Sequence, residues 1–131
     1  MPRRFSREEA DALLPEIAPH LTQLRDIKRQ NDETRSAVND LQDTLKGNGH
    51  SLDIDMARLS RALQSTGAAI NGLIERVTSL GVEVKDLEMG LVDFRGERSG
   101  REVYLCWKLG EERVSFWHEL NTGYDSRQPL E

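Results

Sequence analysis

The chain has 131 residues, 31% charged and 37% hydrophobic, with 18 Lys and Arg against 23 Asp and Glu for a net charge of −5. That length suits one domain with a modest core. The acidic balance, with no clustered basic face, argues against nucleic-acid binding, and no apolar run approaches the ~20 residues that span a bilayer. One cysteine, Cys106, excludes an intrachain disulfide. It predicts a reducing, cytoplasmic setting, and the polar N-terminal stretch 5–9 predicts no secretory signal.

Ser6 and Glu9 form a capping box, in which each side chain satisfies the other residue's amide. A short helix is expected to end near Leu14, because Pro15 disfavours helical geometry at the residue before it. A second helix is expected over 16–46, with Pro15 and Pro19 at its start, where an amide is not needed. Ile17, Leu21, Leu24, Ile27, Asn31, Thr34, Val38, Leu41 and Leu45 recur along it at three- and four-residue steps. The middle of that stripe, 28–36, is polar and makes a weak seam. Gly47, Asn48 and Gly49 in the stretch 46–51 mark a helix-to-helix turn rather than a phosphate loop, since no strand precedes them and no Lys-Ser/Thr follows.

The helix expected over 54–80 has the cleanest period in the chain. Leu59, Leu63, Thr66, Ile70, Leu73, Val77 and Leu80 are spaced 4-3-4-3-4-3, which is coiled-coil periodicity, and Gly81 ends it. Two long helices joined by a short connection predict an antiparallel hairpin. A bare hairpin leaves much of its apolar stripe wet, so a homodimer formed through the helices is expected.

After Gly81 the period changes to two. Strands are expected at Leu91-Val92-Asp93-Phe94, at 101–108 and at 113–119, with 95–100 as a polar turn. Six of the seven aromatics lie between Phe94 and Tyr124, so any specific chemistry belongs to this end. It also carries most of the acid excess, with 11 acidic and 7 basic residues after Gly81 against 12 and 11 before it. The fold class is therefore α+β in a single domain spanning 1–131: a helical part over 6–80 with a short N-terminal helix and a long antiparallel hairpin, then a three-stranded antiparallel meander over 82–131.

Lys85-Asp86, Gly90-Leu91-Val92-Asp93-Phe94, Val103-Tyr104-Leu105-Cys106-Trp107, Gly110-Glu111, Phe116-Trp117-His118, Gly123 and Arg127-Gln128-Pro129 form a distinctive string. The string resembles a prokaryotic family of short proteins described only as a domain of unknown function. The resemblance covers nearly the whole chain and implies no activity.

Pairing the last two expected strands about residues 110–111 gives partner numbers that sum to 221. Tyr104 then lies opposite Trp117, and Glu102 opposite Glu119. The first hairpin adds Asp93 opposite Glu102. Asp93, Glu102 and Glu119 would form an acidic row that a divalent cation (Mg²⁺, Mn²⁺ or Ca²⁺) could neutralise, or that Arg95, Arg101 and Arg113 could neutralise without a metal. Tyr104 and Trp117 would form a cross-strand aromatic pair, serving the sheet or stacking on a ligand. Lys85, Asp86, Tyr104, Trp117 and His118 are the candidate ligand-binding residues. His118 is expected at the core edge, bonded to backbone or to Asp86. Cys106 is expected to be a buried small hydrophobe, since a reactive thiol needs a nearby cation or helix N-terminus.

Two functions follow. The preferred one is a non-enzymatic oligomeric scaffold or binding module, with the hairpin oligomerising and the meander holding a protein or small-molecule ligand. The other is a small cation-dependent enzyme, hydrolytic in type, with Asp93, Glu102 and Glu119 as ligands and His118 as base. No nucleophile–base pair and no strong metal-ligand spacing supports the second.

Overall fold

The computed structural model describes residues 3–44 and 51–131. Among the described residues, two helices precede a five-stranded antiparallel sheet: α1 (Arg7–Thr44), α2 (Ser51–Thr78), β1 (Glu83–Asp86), β2 (Leu91–Arg98), β3 (Arg101–Lys108), β4 (Phe116–His118) and β5 (Gln128–Pro129). The strands lie in sequence order. The α+β class and the helical hairpin hold. The expected turn at 46–51, with His50 in it, lies outside the described residues up to Ser51, where α2 begins.

The short N-terminal helix does not exist as a separate element. Pro15 and Pro19 both lie inside α1. An interior proline costs about 3 kcal/mol through a lost amide bond and ring crowding. Both are exposed, so the disrupted bonds fall on the outer side of the helix. The opposite side buries Ala10, Leu14, Ile17, Leu21 and Leu24, four of them at 0% exposure. At roughly 1.5–3 kcal/mol for each large side chain, that face outweighs both prolines. The capping box starts the helix as expected, with the Glu9 amide donating to Ser6 Oγ at 3.1 Å and the Ser6 amide to Glu9 Oε1 at 2.9 Å.

The chain divides into two compact units. One comprises Met1–Arg25 with Leu73–Glu131, the other Asp26–Gly72. In the first, one sheet face carries Val92, Phe94, Val103, Leu105, Trp107 and Trp117, all buried with the inner side of α1 and with Leu73 and Val77. Phe5 joins this core edge-on to Phe94 at 5.3 Å, and its amide donates to the Arg95 carbonyl at 2.7 Å. α2 ends at Thr78, two residues before the expected limit, and the turn that follows closes at Gly81 with φ +91, the left-handed conformation that favours glycine.

In the second unit, Asn31 is buried at 8% exposure and donates to Thr66 Oγ1 at 2.7 Å. The expected weak polar seam thus contains a specific cross-helix bond. Elsewhere in this unit the stripe is less closed: Ile27, Val38, Leu41, Leu59, Leu63 and Ile70 are only half-buried.

The sheet departs from the expected meander in three ways. β1 and β5 flank the three expected strands. β2 continues through the expected turn to Arg98 and pairs with β3 across a two-residue turn. Ser99 and Gly100 there have φ 54 and 81, the doubly left-handed geometry that suits the twist of a hairpin. β4 starts at Phe116 rather than 113, because the preceding loop is pinned to α1: the Val114 amide donates to Asp11 Oδ1 at 2.7 Å. The last two differences shift the register, and the register decides which side chains meet.

Candidate functional site: a buried Asp–Cys–His cluster

Asp93 on β2 pairs directly with Cys106 on β3, and His118 on β4 pairs with Tyr104. Side chains alternate across a sheet, so Asp93, Tyr104, Cys106 and His118 share one face, opposite the face packed on the helices. The strap that follows β4 helps to cover this face. Arg127 stacks over the rings of Phe116 and Tyr124 at 4.1 and 4.4 Å and makes two 3.1 Å bonds to Glu111. It also reaches Cys106 Sγ at 3.9 Å.

Asp93, Cys106 and His118 are 2%, 0% and 2% exposed. His118 Nε2 lies 3.0 Å from Asp93 Oδ2, and its Nδ1 lies 2.8 Å from the Glu119 carbonyl oxygen. A carbonyl only accepts, so Nδ1 carries a proton and donates it. One further proton is then shared between Nε2 and the carboxylate. Asp93 Oδ1 is buried with no hydrogen-bond partner. The Cys106 Sγ lies within 4.8 Å of the other two ligand atoms.

Burial pushes the Asp93 carboxyl above its ordinary range, against the pull of His118. The Cys106 thiol is pushed up to about 12, by burial first and then by the Asp93 charge, with Arg127 opposing. An inert thiol follows. At pH 8 the folded protein should react with a maleimide at least about a thousandfold more slowly than the urea-unfolded chain, since only the thiolate attacks. Comparable rates by mass spectrometry would show that Cys106 is neither buried nor protonated as described.

Other sequence-predicted residues fall in different places. Glu102 lies opposite Glu97, not Asp93, and bonds to Arg95 at 2.7 Å and Arg4 at 3.1 Å. Glu119 follows β4 and pairs with Arg101. The acidic row of Asp93, Glu102 and Glu119 is therefore not formed, because the two-residue turn moves the first hairpin by four in its register sum. The second hairpin moves by one, so Trp117 pairs with Leu105 on the helix-packed face, beneath Arg98 and Arg101. Tyr104 and Trp117 lie on opposite faces and make no stacking platform.

Tyr104 instead donates to Glu83 Oε1 at 2.9 Å, with the Lys85 ammonium 4.6 Å from its ring centroid. Burial works against the Glu83 carboxylate, but bonds from Lys85 and Tyr104 prevail and hold it below its ordinary range. Asp86 Oδ1 accepts the Met89 amide at 2.9 Å, closing the turn into β2. His118 is held by backbone as expected, with Asp93 rather than Asp86 as its other partner. Sequence reasoning placed Cys106 in the core but missed its company, and missed Arg127. The available signal was Asp93 itself, a charge inside the apolar run Leu91-Val92-Asp93-Phe94.

A helical hairpin joined to an antiparallel sheet, with an acid, a thiol and an imidazole enclosed on the sheet's second face, defines a small α+β protein with a polar buried centre. The chain belongs to the family described as uncharacterized conserved protein (DUF2203), whose model matches residues 3–130. No curated protein and no solved structure matches it.

Proposed function

We propose that the protein is a non-enzymatic, homodimeric binding module of the prokaryotic cytoplasm, in which the helices join two copies and the sheet carries the specific site. The observation that carries this reading is the open stripe of the second unit. Ile27, Val38 and Leu41, which continue the apolar pattern of Ile17, Leu21 and Leu24 along α1, and Leu59, Leu63 and Ile70 on α2 are only half-buried. A cleft of about 430 Å³ lined by Ala37, Leu41 and Leu59, with Asp40, Asp55 and Arg58, offers room for side chains of a second copy. Two hairpins pairing into a four-helix bundle would close that stripe with the symmetry most oligomers use.

The cytoplasmic part of the reading rests on a single buried, unpaired cysteine. The non-enzymatic part rests on His118, whose two ring nitrogens are both engaged within the protein, leaving neither for a substrate proton. Light scattering at micromolar concentration should give twice the 14.9 kDa chain mass. Leu63→Asp should return the particle to one copy or unfold it. A compact monomer with full helicity in the unaltered protein would sink the dimer.

A further inference from the structure

The Asp–Cys–His cluster has features that a merely structural polar core does not need. Asp93 Oδ1 is buried without a partner. Leaving such an oxygen unbonded is unfavourable, more so when it is charged. The His118 ring is fixed by donation from Nδ1 to the Glu119 carbonyl at 2.8 Å, which turns Nε2 toward Asp93. Metal-binding histidines are commonly oriented in this way, by a carbonyl or carboxylate on the other nitrogen. Sγ of Cys106, a ring nitrogen of His118 and a carboxylate oxygen of Asp93 lie within 4.8 Å of one another. Arg127, anchored by Glu111, stands 3.9 Å from the sulfur, where it can donate to a thiolate.

We propose that Asp93, Cys106 and His118 form a mononuclear site for a borderline divalent transition cation of the zinc class, bound by one carboxylate oxygen, Sγ and Nε2. The donor set selects the ion. Mg²⁺ and Ca²⁺ take oxygen ligands, six or more of them for Ca²⁺, whereas imidazole with thiolate suits Zn²⁺ and its close neighbours. Bonds of about 2.0–2.3 Å to tetrahedral ligands place the donor atoms roughly 3.3–3.8 Å apart. Side-chain rotations of about an ångström bring the three into that range.

Charge also balances. The cation displaces the thiol proton and the proton shared by Asp93 and His118, both released to solvent, and the two anionic ligands neutralise it. Three protein ligands leave one tetrahedral position for water or another small donor. This site differs in ligands and in ion class from an acidic row, and it stands independently of dimerisation.

The test uses the full chain without a histidine tag, stripped with a chelator and titrated with Co²⁺. One equivalent should produce a thiolate-to-cobalt charge-transfer absorption together with d–d bands of tetrahedral intensity, both abolished by stoichiometric Zn²⁺. Zn²⁺ should raise the melting temperature by mass action, and equal Mg²⁺ or Ca²⁺ should not. Cys106→Ser should remove the charge-transfer band. Asp93→Asn and His118→Gln should weaken cobalt binding by more than the roughly 10–100-fold that loss of an outer-sphere partner costs. Circular dichroism identifies variants that fail to fold, and in that event the wild-type titration decides alone. No charge-transfer band in the wild type overturns the site, as does a band that survives in folded Cys106→Ser. Cobalt affinity unchanged in folded Asp93→Asn and His118→Gln overturns it equally.

Discussion

Replacing His118 with alanine should lower the unfolding free energy by about 3–5 kcal/mol, the range for removing one partner of a buried ionic pair. Two losses combine. The imidazole is 2% exposed, so its removal opens a cavity, and Asp93 Oδ2 loses its bond at 3.0 Å. Asp93 Oδ1 already has no partner, so both carboxylate oxygens would then be buried without a bond. Urea denaturation with chelator present reads the pair without any metal contribution, and an unchanged slope keeps the comparison two-state. A loss under about 1 kcal/mol would mean that the pair is solvated or that a bound water replaces the imidazole. Replacing both partners by apolar residues of similar volume should restore much of the stability, because the desolvation penalty disappears with the charges. A double variant as unstable as His118→Ala would assign the loss to shape rather than to charge.

Local chemistry was legible in the sequence, and tertiary constraints were not. The capping box at Ser6 and Glu9 and the limits of β3 each depend on neighbouring residues, and each stands where expected. The continuity of α1 through Pro15 and Pro19 depends on the face buried against the sheet, which outweighs a local preference to break. The two register differences have the same character. Ser99 adopts a left-handed conformation more usual for Asn or Gly, so the tight turn at Ser99 and Gly100 gave little warning, and β2 extended beyond Phe94. The start of β4 depends on a bond between Val114 and Asp11, 103 residues apart in sequence. A one-residue slip exchanges the two faces of a strand. That slip moves His118 away from Val103 and Leu105 to the side of Cys106, and moves Trp117 the other way. The residue types at the centre were visible from the start, but their meeting depended on a register set from a distance.

Phe94→Ala should be comparably severe, at about 3–5 kcal/mol, the usual cost of emptying a buried phenylalanine site. Phe94 is fully buried and meets the Phe5 ring at an interplanar angle of 79°, with centroids 5.3 Å apart. That edge-to-face contact joins the residue before the capping box to the middle of β2, alongside the 2.7 Å bond from the Phe5 amide to Arg95. The site has little freedom to collapse. Gly96, two residues on, already has Leu105 Cγ and the Phe5 carbonyl oxygen about 3 Å from where a Cβ would stand. A cavity at Phe94 should therefore persist rather than close. Phe5→Ala should cost less, because Phe5 keeps 3% exposure where Phe94 has none. A double-mutant cycle separates the ring contact from burial alone. The two losses should fail to add by about 0.5–1.5 kcal/mol, the usual worth of an aromatic pair beyond its buried area. Strict additivity would mean that the N-terminal segment leaves the sheet in solution, and that α1 holds its place through Leu14, Ile17, Leu21 and Leu24 without help from the residues before its cap.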